Sequence, residues 1–234
     1  MSDLILLLET ATESCSVALS CGNRILAEKY INQPKAHASL LAVYIKEILQ
    51  ENNLTVQDCA AIAVSKGPGS YTGLRVGVSC AKGLCYGAGK PLIGVGTLEI
   101  IAQLAIDRIH HREEEIPYRI VPMIDARRME VYTAVFTPEG QQLTPTRALI
   151  LEPDSFRQEL ELGKVLFTGN GALKFKPLLE GNPNALFSEQ LPHASGMREY
   201  AYRALQSKNF EDAAYFEPFY LKDFIAGKPK KLLL

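Results

Sequence analysis

The first apolar run, Leu4-Ile5-Leu6-Leu7-Leu8, has no alternation and reads as a central strand buried on both faces. It ends in the small polar turn Glu9 to Ser14, after which Cys15 to Ser20 reads as a second strand. Gly22-Asn23 is a hairpin signal, and Arg24 to Ile31 returns as a third strand. A loop with Pro34 leads to a helix from about Ala36 to Gln50. Its apolar positions Leu40, Leu41, Val43, Tyr44, Ile45, Ile48 and Leu49 are more than one face needs. Either most sides are buried within this chain, or one side waits for a partner. Thr55 and Asp58 open a short connection into the strand Cys59 to Val64. A glycine-rich loop then leads to a second helix, Leu74 to about Tyr86, stopped by Gly87-Ala88-Gly89-Lys90-Pro91. Pro91 to Gly96 is another strand, and Thr97 is placed to cap a third helix through about Ile109.

The charged stretch His110-His111-Arg112-Glu113-Glu114-Glu115 lacks periodicity and reads as a linker. It divides an N-terminal lobe, residues 1–109, from a reduced C-terminal lobe with a tail, residues 110–234. The second half predicts strands over Arg119 to Ile124 and Glu130 to Thr137, with a turn at Pro138-Glu139-Gly140. Asp154 is placed to cap a short helix ending at Gly163, and Lys164 to Thr168 is a strand. Gly169-Asn170-Gly171 turns into a helix near Leu173 to Leu179; a further helix, about Gly196 to Ser207, precedes an aromatic tail, Phe216 to Phe224. No literal internal repeat is visible.

Hydrophobic residues make up 47% of the 234, enough for a substantial core. A formal net charge of −1 argues against long-range attraction of nucleic acid by the chain as a whole. The one basic cluster, Lys228, Lys230 and Lys231, reads as a solvated tail. Cys15, Cys21, Cys59, Cys80 and Cys85 are odd in number and form no CxxC, as small buried hydrophobes of a reducing compartment do. No signal peptide and no membrane-length apolar stretch is visible, so the expected location is the cytoplasm.

The sharpest feature is the loop Gly67, Pro68, Gly69, Ser70, Tyr71, Thr72 and Gly73 between a strand and a helix. Glycines permit close backbone approach, and a helix start offers free N–H groups to an anion. Leu74-Arg75 follows where a Walker A loop needs Lys-Ser or Lys-Thr, so this is either another anion loop or a tight turn without ligand. In the second helix Gly73, Gly77, Ala81 and Cys85 recur every four residues as a smooth stripe, packing on the chain's own sheet or on another subunit's helix. Thr10 and Thr12 lie in a turn that resembles a phosphate-binding hairpin. Asp125-Ala126-Arg127-Arg128 after a strand reads as a local ion pair at a hairpin mouth. His37, His110, His111 and His193 form no HxxxH or HExxH pair, and no G-x-S-x-G or Ser/His/Asp set is present, so neither catalytic nor metal-ligating residues are assigned.

The block Ser65 to Gly77, with Ala81-Lys82-Gly83-Leu84, resembles the signature of the TsaB (YeaZ) family. Leu6 to Thr12, Asp125-Ala-Arg127 with Glu130-Val-Tyr132, Gly169 to Ala172, and Tyr220 to Asp223 follow in the family's order, so the resemblance spans nearly the whole chain. It implies an α/β fold of the actin/Hsp70/sugar-kinase (ribonuclease H-like) type, two lobes with mixed sheets flanked by helices, the second reduced. It implies a non-catalytic subunit that activates TsaD, with the ATPase TsaE, for threonylcarbamoyl transfer to N6 of adenosine 37 of ANN-decoding tRNAs. No intrinsic cofactor is implied; ATP and metal belong on the partner subunits, and tRNA is met indirectly through the complex. The family's pairing buries the first two helices of each partner's N-terminal lobe. Periodicity then selects Leu41, Tyr44, Ile45 and Ile48 on one helix, and Leu74, Gly77, Val78 and Ala81 on the other, as the interface. Self-association as a homodimer is expected when the partner is missing. Two departures stand out: Glu9 where the first strand usually ends in Asp, which disfavours nucleotide or metal there, and Lys222 where Arg is common. The competing readings are an ATP-binding kinase or ATPase of the same fold and, weakest, a metalloprotease.

Overall fold

The computed structural model describes residues 3–33, 37–112 and 115–222. Strands β1 (Leu4–Glu9), β2 (Ser14–Cys21) and β3 (Arg24–Asn32) form an antiparallel meander, with Gly22 at positive φ in the β2–β3 turn. Helix α1 (His37–Glu51) precedes β4 (Ala61–Gly67), helix α2 (Tyr71–Ala88), β5 (Leu92–Gly96) and helix α3 (Thr97–Arg112). Strand β4 pairs parallel to β1, and β5 parallel to β4, giving the order β3-β2-β1-β4-β5.

The second half holds β6 (Arg119–Asp125), β7 (Glu130–Thr133), β8 (Arg147–Ile150), helix α4 (Arg157–Leu162), β9 (Val165–Thr168), β10 (Ala185–Ser188) and helix α5 (Arg198–Ser207). Its sheet runs β8-β7-β6-β9-β10, with β6-β7-β8 antiparallel and β6, β9 and β10 parallel. Strand for strand this is the order of the first sheet, a repeat of topology without a repeat of sequence. The fold is therefore the expected actin/Hsp70/sugar-kinase type, with the helices of the second lobe shortened.

Strand periodicity explains how the two faces of the first sheet are used. Leu4, Leu6 and Leu8 face α1 and α2 with Val17, Ile62 and Val64, while Ile5 and Leu7 face Ile100 of α3 and Met197 and Ala201 at α5. Helix α3 is apolar on two sides: Ile100 packs on the first sheet, while Leu98, Ile101, Ala105 and Ile109 pack on Ile120, Phe136 and Leu166 of the second lobe. That helix is the core of the joint between lobes.

Several expectations need correction. His110, His111 and Arg112 are the last turn of α3 rather than linker; Glu113 and Glu114 lie outside the described residues. Thr97 does not cap α3, since its buried hydroxyl has no partner among the described residues; Glu99 instead accepts from the Gly96 N–H at 2.6 Å. Asp154 does not cap α4, which starts behind Phe156 in the left-handed region. Residues near Leu173 to Leu179 form turns and one 3-10 turn, Lys176–Leu179. Cys21 is exposed, whereas Cys15, Cys59 and Cys85 are buried. The Lys228, Lys230 and Lys231 cluster and Asp223 lie outside the described residues. Among those described, no helix is long and apolar enough to cross a membrane.

Candidate functional site

The β1–β2 turn and the start of α2 meet at the carboxyl end of the first sheet. Ser70 caps α2, its hydroxyl accepting from the Gly73 N–H at 3.3 Å. The Ser70 N–H donates to the Ala11 carbonyl at 2.6 Å, so the loop is bonded directly to the turn. The glycines make this approach possible. A Cβ on Gly69 would stand 2.2 Å from the Ala11 carbonyl oxygen, and one on Gly73 2.1 Å from that of Thr10. Gly67 has φ +111, a region that disfavours side chains, and Pro68 follows it.

The candidate phosphate turn is therefore filled from inside. Thr10 and Thr12 are buried. The Thr10 hydroxyl donates to the Gly73 carbonyl at 2.8 Å, and the Thr10 N–H donates to Ser65 Oγ at 3.3 Å. Thr12 Oγ1 lies 3.1 Å from Ser14 Oγ, which donates to the Pro192 carbonyl at 2.6 Å. Glu9 is fully buried; its Oε1 accepts from the Ala11 N–H at 2.5 Å, and its Oε2 has no partner among the described residues. Burial pushes this carboxyl up to about 7, against hydrogen bonds from Ala11, Ser65 and Thr10 that lower it. The glycine loop is a tight turn packed on the β1–β2 turn.

The outer side of the loop is strapped by the tail. The Phe219 N–H donates to the Lys66 carbonyl at 2.6 Å, and Lys82 Nζ donates to the carbonyls of Ala214 and Phe216. Tyr220 stacks near Tyr71 with ring centres 4.8 Å apart, and the Arg75 guanidinium lies 4.2 Å over the Tyr71 ring. Tyr71 of the loop thus meets the tail, while Thr72 is exposed.

The side chains chosen for the partner interface need the largest correction. Leu41, Ile45, Ile48, Leu74, Gly77, Val78 and Ala81 are buried in this chain; only Tyr44 is part-exposed. Leu41, Ile45, Ile48, Val78 and Ala81 form one cluster with the first sheet. The four-residue stripe of α2 faces inward: a Cβ on Gly77 would lie 2.2 Å from Thr10 Oγ1 and 3.4 Å from Val64. A period of four marks a close approach without telling which neighbour is approached. The exposed sides of the same two helices carry other residues. On α1 these are Val43, 43% exposed, beside Tyr44. On α2 Gly83 and Gly87 are exposed, and a Cβ on either would meet nothing within 4 Å; they continue at helical spacing from the part-buried Val76 and Cys80, which pack against the α1–α2 cluster. This second, outward glycine stripe is the feature that the sequence reading missed; Gly83 and Gly87 were its only signal.

No group of three or more His, Cys, Asp or Glu side chains with metal-holding geometry exists among the described residues. Fold and site together define a two-lobed chain of the actin/Hsp70/sugar-kinase class whose β1–β2 turn is occupied by its own hydroxyls and carbonyls. Residues 24–230 match the family model described as TsaD, tRNA N6-adenosine threonylcarbamoyltransferase. The chain is 30% identical to the tRNA threonylcarbamoyladenosine biosynthesis protein TsaB of Haemophilus influenzae, over 97% of this chain and 98% of that protein. It is 30% identical to the Escherichia coli protein of the same name, over 96% of each. The solved structure of YeaZ from Pseudomonas aeruginosa superposes with a TM-score of 0.77 at 28% identity, over 94% of this chain and all of that one. The chain belongs to the TsaB (YeaZ) family.

Proposed function

We propose that this chain is a non-catalytic subunit of the machinery that makes threonylcarbamoyladenosine in tRNA, binding and activating a TsaD-type transferase together with a TsaE-type ATPase. The relatives named for that biosynthesis support the pathway. The observation that carries the docking role is the exposed face of α1 and α2. Val43 of α1 and Gly83 and Gly87 of α2 are exposed, and a Cβ on either glycine would meet nothing within 4 Å, a shape that lets a partner helix come close. The filled turn at Glu9 and Thr10 supports a subunit that leaves the chemistry, the nucleotide and the metal to its partners. The chain then meets tRNA only within the complex and works in the cytoplasm, and the same face accounts for a homodimer when the partner is absent.

The test is reconstitution. The purified chain, mixed with its TsaD-type and TsaE-type partners, ATP, threonylcarbamoyl-AMP and tRNA, should restore modification, and alone should have no transferase or ATPase activity. Gly83→Leu should weaken pairing with the TsaD-type partner while leaving the isolated fold intact. Full modification without this chain would refute the role; unchanged affinity of the Gly83 variant would refute the face.

A further inference from the structure

The turn between β6 and β7 presents two arginines in an unusual way. Arg127 has φ 73 and Arg128 φ 50, both in the left-handed region where glycine or asparagine avoids the Cβ clash. The turn is nevertheless held firmly. The Arg127 N–H donates to Asp125 Oδ1 at 2.6 Å, Ala126 N–H to the Glu130 carbonyl at 3.1 Å, and Glu130 N–H to the Arg127 carbonyl at 3.1 Å. Lys174 Nζ donates to the Arg128 carbonyl at 2.9 Å and to the Glu130 carbonyl.

The nearby carboxylates are already engaged by other cations. Asp125 pairs with Lys174 at 2.7 Å, and Glu130 with Lys222 at 2.6 Å. Glu13 of the first lobe reaches the group through Asn170, at 3.4 Å. The ion pair expected at this hairpin mouth forms with another cation: Asp125 accepts from the Arg127 N–H and pairs with the Lys174 ammonium, while the Arg127 charge acts on it without a direct contact. Both arginines are exposed, and neither guanidinium has a hydrogen bond or ion pair among the described residues. Four cations, Arg127, Arg128, Lys174 and Lys222, stand against three carboxylates, Asp125, Glu130 and Glu13, a net excess of one positive charge, and the two guanidiniums are the cations not held in an ion pair among the described residues.

We propose that the Arg127–Arg128 turn is a contact for the phosphate backbone of RNA. Guanidinium forks match phosphate oxygens bidentately, and a pinned turn holds two of them side by side at little ordering cost. With a chain net charge of −1, such a contact has to be local, and this turn carries a positive balance of its own. The proposal rests on the reading that this chain works in a complex that acts on tRNA, and it adds that the chain touches the tRNA itself.

The experiment measures tRNA binding to the assembled complex by fluorescence anisotropy across a salt series, with wild-type chain and with R127Q/R128Q. Affinity should fall about tenfold in the variant, as for two exposed charge contacts. The dependence of log K on log salt should flatten by about 1.5. Pairing with the protein partner, measured without RNA, should not change. Unaltered affinity and slope would overturn the proposal. So would loss of protein pairing in the absence of RNA, which would assign the arginines to an acidic protein surface. A wild-type mixture that modifies tRNA equally well without this chain would remove the underlying reading as well, whereas a working wild type with an indifferent variant removes the turn alone.

Discussion

A β-carbon on Gly77 would stand 2.2 Å from the Thr10 hydroxyl, which itself donates to the Gly73 carbonyl at 2.8 Å. Helix α2 is thus seated against the β1–β2 turn with no room for a methyl group. Gly77→Ala should destabilise the isolated chain. Overpacking a filled core costs about 1–3 kcal/mol, and the better helix propensity of Ala returns about 1 kcal/mol, leaving a net loss of up to about 2 kcal/mol. Gly83→Ala meets open space and should stabilise by about 1 kcal/mol. Urea midpoints of the two variants should move in opposite directions. A bulky residue at Gly77, one of the positions expected at the partner interface, should act through folding instead.

Glu9 gives the chain a pH dependence of definite sign. Its folded-state pKa is raised from 4.5 to about 7, mainly by burial. A raised carboxyl contributes stability that is complete below 4.5 and is lost as pH climbs through 7. The loss is roughly 3 kcal/mol by pH 8. Wild-type chain should therefore unfold at lower urea at pH 8 than at pH 5. Glu9→Gln, neutral throughout, should flatten that difference; an equal slope in both proteins would show that another group sets it.

Helix α5 is tied to α3 by a fork. Arg198 donates from Nη1 to Asp107 Oδ2 and from Nη2 to Asp107 Oδ1, each at 2.6 Å, with both side chains mostly covered. Arg198→Ala removes two charge-assisted bonds and strands a carboxylate that keeps the Gln103 amide as a side-chain donor. A loss of about 2 kcal/mol is expected, with faster amide exchange concentrated in α5. Unchanged exchange there would place the anchoring of α5 in its apolar packing on the first sheet, through Ala201, Ala204 and Leu205.

How much of this was legible in the sequence differs between the lobes for a physical reason. In the first lobe the signals are long: the Leu4–Leu8 run, the Gly22-Asn23 hairpin and the glycine loop each specify their element locally. In the second lobe β8 and β10 have four residues each, too few to show a period, and both were missed. Pro177 removes an N–H and leaves only a 3-10 turn where a helix was expected. At the site, the glycine stripe was readable but its direction was not. Thr10 decides which side of Gly77 is occupied, and it reaches that place through sheet pairing that no local pattern encodes.

The tail limits which side of α2 can receive a partner. Lys82 and Arg75, seven residues apart on one flank, hold the carbonyls of Ala214 and Phe216 and the Tyr220 hydroxyl. Val76, Cys80, Gly83 and Gly87 lie roughly a quarter to a third of a turn further round, at about 100° per residue. Phe216 packs against the α1–α2 core cluster, so Phe216→Ala should loosen the strap at a cost of about 2 kcal/mol. Limited proteolysis should then cut the tail faster. Affinity for the TsaD-type partner should stay within about twofold, because the docking stripe is on the other flank. Gly83→Leu should give the reverse pattern: an intact tail and a chain of ordinary stability that no longer pairs. If loosening the tail abolished pairing as well, the strap itself would be part of the interface, and the docking surface would have to be redrawn to include both flanks of the helix.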